Sequence, residues 1–371
     1  MIMGLTFLAI AQISNGATLY VDAGGATSGS CDSWANACTL SYALSLAGSG
    51  DSAWVTAGTY TGPYTLVNGV KLIGGFAGTE SAASQSDPTT NVTTIDGNGA
   101  RALESTDDGP STLLRGFTIS GGADTGFDGG GAILLNNSSL FVVDCVFTAN
   151  TATWWGGAAS IRGVSSPTFI NCVFSGNGIA EGSTTIAGGA VYLHFGSVTF
   201  TNCLFYDNSA YEGGAIAVME GNVTLHNSTV ANNAATVGSG GGIFDKYGGA
   251  TITNSIFWGN TAGRNGAQIH NAPGVESTVS ESDISGGYTG TGNINSDPLF
   301  AYPGHGDFTL QSTSPCKDAG GNQLLPADSG DLDWDSNVSE DIPKDLKRET
   351  RKINFTVDMG CYEAPLSGGG Q

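Results

Sequence analysis

The sequence predicts an all-β solenoid: one chain wound into a parallel β-helix, with a short helix capping one end. Three observations carry this reading. First, a nine-residue phrase recurs. Aligned on its fourth residue it reads "VVDCVFTAN" at Cys145, "FINCVFSGN" at Cys172, "FTNCLFYDN" at Cys203, "LHNSTVANN" at Ser228, "ITNSIFWGN" at Ser255 and "VSESDISGG" at Ser282, with a fainter copy around Phe117. The steps are 28, 27, 31, 25, 27 and 27 residues, the beat of one supersecondary unit stacked on copies of itself. Second, a glycine pair keeps the same beat: "GGAI" at Gly130, "GGAA" at Gly156, "GGAV" at Gly188, "GGAI" at Gly213 and "GGIF" at Gly241. Third, each unit holds short alternating runs of Val, Ile, Thr and Phe between Gly and Asn, and no proline occurs from Thr168 to Ala272. Rungs that all hydrogen-bond to their neighbours require this. Leucine-rich and ankyrin-type repeats are excluded, because each needs a helix in every unit.

The elements run as follows in chain order. Residues 1–17, "MIMGLTFLAIAQISNGA", have an apolar centre too short to span a bilayer. They resemble a secretory signal ending near Ala17, without the usual Lys or Arg at its start; the alternative is an apolar first strand. Residues 18–111 form the N-terminal cap and early rungs. There, Thr18–Asp22 and a helix around Leu40, Ala43, Leu44 and Ala47 cover the open edge of the first coil. Trp54–Tyr60, Val70–Gly75 and Val92–Asp96 are the shorter early rungs. Residues 112–290 are the regular stack, 291–363 a C-terminal cap and 364–371 a flexible tail.

Within the stack the repeated positions read as scaffold. Phe200 and Cys203 would point to opposite sides of a regular strand, so a bend or bulge near Asn202 is expected. Cys145, Cys172 and Cys203 form a buried column, continued by Ser228, Ser255 and Ser282. A straight column of thiols offers no fourth ligand for a tetrahedral metal, and free Cys behaves as a small buried hydrophobe. Asn150, Asn177, Asn208, Asn233 and Asn260 are expected to stack as an amide ladder.

Composition agrees. Gly is 58 of 371 residues, about twice the usual ~7%. A net charge of −21 argues against nucleic acid and anionic membrane surfaces, and weighs against tight binding of polyanionic sugars. Five of the 12 basic residues crowd into 344–352. No segment is long enough to span a membrane as a helix. Of the seven cysteines, Cys31 and Cys38 are near neighbours and Cys316 pairs naturally with Cys361. This suggests two disulfides in an oxidising compartment, though spacing alone does not prove the connectivity.

Three longer stretches carry a family resemblance. "GSCDSWANACTLSYALSLAGSGDSAWVTAGTY" resembles the N-terminal cap of secreted bacterial right-handed β-helix proteins. The GGA and F-x-x-N repeats resemble those of polymorphic outer-membrane proteins. "DPLF…GDFTLQSTSPCKDAG…VDMGCYE" resembles the C-terminal end of the choice-of-anchor Q class of surface proteins. Together they cover residues 18–363. The resemblance implies a right-handed, pectate-lyase-like coil that is secreted or held at the cell surface, associated with the outer membrane. That class usually carries Ala where Cys361 stands and often near Cys316, so the paired departure supports their disulfide.

Candidate chemistry is sparse. Uronate lyases on this fold need clustered acidic Ca²⁺ ligands beside an Arg or Lys, and pectin-type hydrolases need paired Asp with further signatures. Only "GHG" at Gly304–Gly306 appears, without its partners. The outward face of the glycine-led strands is the better candidate. Alternation puts Ile133, Ala159, Val191, Ile216 and Phe244 inward. It leaves Leu134, Ser160, Tyr192, Ala217 and Asp245 in one outward column, and Asn136, Arg162, His194, Met219 and Tyr247 in the next. Arg162, Tyr192 and His194 would be rung neighbours, with Trp154, Trp155 and Tyr211 on adjoining turns. Such aromatic surfaces with a few polar groups suit sugar stacking, although an ordinary solvated sheet face has the same pattern.

"DLDWDSNVSE" (331–340) places Asp331, Asp333, Asp335 and Asn337 at the alternating spacing of a Ca²⁺ loop, but lacks the turn Gly and the closing Glu of an EF-hand. It reads as a structural Ca²⁺ site or a solvated acidic loop. Sequons stand at Asn91, Asn136, Asn137, Asn222, Asn227, Asn337 and Asn354. The expected function is a structural, adhesive or carbohydrate-binding module, capable of self-association, that binds polysaccharide or a host-surface ligand without catalysis. The alternative is a polysaccharide lyase or glycoside hydrolase of the same fold.

Overall fold

The structure, a computed structural model, describes residues 16–180, 186–353 and 355–364. It is the expected coil. One parallel sheet stacks nine strands, from Gly58–Thr61 through Val146–Thr148, Val173–Ser175 and Leu204–Tyr206 to Asp283–Ile284. A second stacks six two-residue strands, from Ala123–Asp124 to Thr261–Ala262. The third has 16 strands in two rows, fused where Val191–Thr201 and Ile216–His226 run unbroken through a corner. The register repeats the sequence period: Val146, Val173, Leu204, Thr229, Ile256 and Asp283 are successive partners.

The corners explain the repeated phrase. The residue before each Cys or Ser of the column is left-handed: Asp144, Asn171, Asn202, Asn227, Asn254 and Glu281 have φ between 48° and 53°. Asn and Asp tolerate that conformation because a short polar side chain bonds locally. This is the bend expected near Asn202. The glycine pair has two different reasons. Gly156 has φ 59°, while a Cβ on Gly157 would lie 2.3 Å from the carbonyl oxygen of Gly189 on the next coil. One glycine permits the turn and the other permits the close approach.

Inside, each rung repeats its neighbour. Phe147, Phe174 and Phe205 stack at 4.8 and 4.6 Å, nearly coplanar. The Asn ladder is continuous: Asn150, Asn177, Asn208 and Asn233 each donate from Nδ2 to the next Oδ1 at 2.9–3.0 Å. Cys145, Cys172 and Cys203 are fully buried, and burial pushes the Cys145 thiol up to about 12. Cys172 Sγ lies 3.4 Å from the Ile170 carbonyl, whereas Ser228 Oγ at the equivalent place donates to His226 O and accepts from the Cys203 amide. A hydroxyl therefore finds both partners ready-made. Cys172→Ser is expected to shift stability by less than about 1 kcal/mol in urea denaturation, and the native thiols should resist alkylation until unfolding. Fast labelling of folded protein, or a loss well above that figure, would contradict the packing assignment.

Both ends are covered. The helix Leu40–Leu46 buries Leu40, Ala43 and Leu44 over the first coil, beside the Cys31–Cys38 disulfide. At the far end Ile294 bridges to Asp283 and Asn293 Oδ1 accepts from the Ser282 amide. Beyond this short cap, the segment 291–363 does not stay at the end of the coil. It turns back as a strap along the flank. Asn254 exchanges two hydrogen bonds with the Gly321 backbone. Asn202 and Asn171 donate to the carbonyls of Lys344 and Asp345, and Arg115 donates to those of Asp331 and Leu332. The left-handed asparagines thus serve twice, as corners and as hooks.

The second disulfide is corrected. Cys316 and Cys361 are both buried thiols in the cluster that seats the strap, with Leu204, Ile256, Phe308 and Met359. Cys316 Sγ donates to Asp283 Oδ2 at 3.1 Å, and a disulfide would remove that donor and leave the buried carboxylate only the Ser296 amide on Oδ1. Residues 1–15 of the predicted 1–17 leader and 365–371 of the predicted 364–371 tail lie outside the described residues; Gly16 and Ala17 donate to Asp51, and Ala364 is buried.

Candidate functional site

The outward face carries a platform built from strands and turns. Ala159–Arg162 and Val191–Thr201 pair so that Ser160 lies beside Tyr192 and Arg162 beside His194, as the alternation predicts. The Trp155 ring, on the turn before Gly156, stacks on Tyr192 at 5.4 Å and 12°. The Arg162 guanidinium lies over the same indole, 5.0 Å from its centroid, and is fixed by Asp128 at 2.7 Å and by the Phe127 carbonyl. Trp154 stacks on Phe127 at 5.1 Å, and His194 lies against Phe195 at 4.4 Å. Phe127 is 69% exposed, an apolar ring standing in water beside two half-buried indoles. Burial and the Arg162 charge hold His194 below its ordinary range, so it is neutral at physiological pH and can both donate and accept.

Several expected members move. Tyr192 is only 3% exposed, so it forms the floor under Trp155 rather than a contact surface. Its phenol is pushed up to about 12 by burial. The fifth coil is out of frame: Gly240, not Gly241, is its left-handed glycine, and Ile243 rather than Phe244 continues the inward column after Ile216. Phe244 then succeeds Tyr192 and Ala217 in the outward column and stacks on His270 at 5.4 Å. Asp245 consequently faces inward. It is fully buried, with Oδ1 accepting from Gly248 and Oδ2 unpartnered, and burial raises its pKa. Met219 is the extra residue of a bulge, so Glu220 is the partner of His194. Tyr247 is exposed, with only Lys246 over its ring. Tyr211 sits half-buried on its turn, and among the described residues no ring stacks on it. The glycine-flanked His305 stacks on Tyr302 in the strap segment.

Strand alternation alone does not find Phe127, Asp128, Phe195 or Glu220. A signal for the first two exists in the turns. "GFDGG" occupies the same turn as "TWWGG" one coil later, and aligning turns as well as strands pairs them.

The acidic loop is a second cluster. Oxygens of Asp331, Asp333 and Asp335 lie within 4.8 Å of one another, and so do those of Asp328, Asp333 and Glu340. Asn337 lies beside the second cluster, its Nδ2 donating to Glu340 Oε2 at 3.2 Å and its Oδ1 accepting from the Ser339 hydroxyl. Asp328 and Glu340 lie outside the spacing that singled the loop out.

The family model described as "Right handed beta helix region" matches residues 61–222 and 103–284. A stretch of 162 residues is 29% identical to the probable autotransporter YfaL of Escherichia coli strain K12, covering 39% of this chain and 12% of that protein. The chain therefore spans about an eighth of the length of that relative. Among solved structures, pectate lyase Pel9A aligns over 95% of this chain and 98% of its own, at 15% identity and a TM-score of 0.49. The overlapping family matches together span more than half of the chain and coincide with the stacked coils. The chain belongs to the right-handed β-helix family.

Proposed function

We propose that this chain is a secreted or cell-surface module of the choice-of-anchor Q type, which binds neutral polysaccharide on its aromatic platform and performs no reaction there. The observation that carries this is the platform itself: Trp155 fixed between Tyr192 and Arg162, with Trp154 and the exposed Phe127 beside it. Flat apolar rings held rigidly lose little entropy on binding, and the apolar faces of sugar rings stack on them while flanking polar groups bond hydroxyls. The charge of −21 favours a neutral chain over a uronate polymer. A surface location has support from the Cys31–Cys38 disulfide and the autotransporter resemblance. No helix among the described residues is long and apolar enough to cross a membrane.

The test is affinity electrophoresis against neutral and acidic polysaccharides, with Phe127→Ala and Trp154→Ala chosen because Phe127 is exposed and the half-buried Trp154 stacks on it. Each should weaken binding roughly 2- to 10-fold, the effect of one lost stacking contact. Unchanged retardation in both variants would remove the site. Reducing ends or unsaturated uronates released on incubation would replace binding by catalysis.

A further inference from the structure

The neck of the acidic loop holds a feature that neither packing nor the platform accounts for. Strap residues 326–342 form a loop closed at its base: Asp328 N donates to Glu340 O at 2.8 Å, Ala327 bridges to Asp341, and Ile342 N donates to Pro326 O. Leu325, Leu332 and Ile342 anchor it against Val143 and Ile170 of the coil. Asp328 is thereby 0% exposed. Its Oδ2 accepts from the Leu332 amide at 2.8 Å, but its Oδ1 has no partner, and neither does the buried Oε1 of Glu340. These two carboxylates and that of Asp333 share a space in which ligand oxygens lie within 4.8 Å of one another.

Asp333 reaches solvent, but the buried, unpartnered Asp328 oxygen facing two further carboxylates requires a proton or a cation beside it. The nearby cation, Arg115, is already engaged by Asp144 at 3.0 Å, by the Trp334 ring at 3.9 Å and by the strap carbonyls. We infer that Asp328, Asp333 and Glu340 form a divalent-cation site, selective for Ca²⁺, that locks the strap loop onto the coil. The donors are all carboxylate oxygens, which suits a hard cation. Ca²⁺ accepts irregular sets of carboxylate oxygens, whereas Mg²⁺ demands near-octahedral geometry and gives up its waters reluctantly. Asp331 and Asp335, which share Asp333 with this trio, supply further charge at the loop tip. Asn337 orients Glu340 rather than binding the ion.

Trp334 makes the test direct, because an indole in the loop sensitises Tb³⁺ luminescence. Full-length protein is titrated with Tb³⁺, and Ca²⁺ or Mg²⁺ is then added as competitor. The expected result is saturable emission displaced by Ca²⁺ at concentrations at least tenfold lower than by Mg²⁺. Asp328→Asn and Glu340→Gln should each weaken Ca²⁺ competition tenfold or more. In limited proteolysis, Ca²⁺ should slow cleavage within 326–342 of the wild type and not of either variant. Glu340 is half-exposed, so its variant remains informative if the buried Asp328→Asn fails to fold. Absence of sensitised emission, equal potency of Ca²⁺ and Mg²⁺, or wild-type Ca²⁺ competition in Glu340→Gln would each overturn the assignment.

Discussion

Replacing Arg351 by methionine is expected to cost about 3–5 kcal/mol of stability, the usual loss when one member of a buried ion cluster is removed. Arg351 is wholly buried in the strap. Its Nε lies 3.3 Å from Glu363 Oε1, and its Nη2 donates to the carbonyls of Asp358 and Gly360. Asp345, Asp358 and Glu363 are buried around it, and Arg351 favours the charged form of all three. Burial nevertheless raises each carboxyl, Glu363 to about 8. An acid whose folded pKa lies above its unfolded value penalises the fold in full above the folded pKa, and the penalty fades as pH falls from the folded pKa to the unfolded one. Without the guanidinium these values rise further, so the Arg351→Met defect should be largest near about pH 9 and shrink towards about pH 6. Urea denaturation of both proteins across that range reads it directly. A loss independent of pH, or one below about 1 kcal/mol, would show that the cluster does not behave as a charge-coupled unit.

Asn208→Ala should be comparably damaging, at roughly 3–6 kcal/mol. Asn208 is buried at the middle of the amide ladder. Its Nδ2 donates to Phe174 O and Asn233 Oδ1, and its Oδ1 accepts from the backbone and the side chain of Asn177. Alanine removes four hydrogen bonds in a space that water does not reach, at about 1 kcal/mol each, and leaves the Asn177 amide without an acceptor, whereas Asn233 Oδ1 keeps the Asn208 amide and Asn177 Nδ2 keeps Phe147 O. The thermal midpoint should fall by roughly 4–8 °C if the coils unfold as one unit. A small shift would mean that water replaces the amide or that neighbouring coils uncouple. The contrast with Cys172→Ser, one column away and expected to be nearly silent, separates burial as such from hydrogen-bond connectivity.

The sequence by itself determined the coil, its period and its interior columns. Every rung imposes the same constraint again, so the Asn ladder, the Cys–Ser column and the bend at Asn202 were each written five or six times. The N-terminal helix over Leu40, Ala43 and Leu44 was legible for a related reason, since local periodicity meets an edge that has to be covered. Single departures from the beat were misread because alternation has no error correction. Gly242 stands where the coil before it carries Ala215, so matching the glycine pair at Gly241 reads that strand one residue late and puts Asp245 on the wrong face, and the bulge at Met219 sets Glu220 rather than Met219 beside His194. The rest was decided by tertiary structure alone. Arg115 meets Leu332 across 217 positions and Asn171 meets Asp345 across 174, pairings that no spacing rule connects. The strap sets Cys316 beside Asp283 instead of joining it to Cys361, buries Asp328 opposite Glu340, and folds three carboxylates around Arg351. Solenoid coils bond to the next coil at a fixed step, so their partners are implied by the period. A strap bonds wherever the flank offers a free amide or an apolar gap, and only the folded surface defines where those lie.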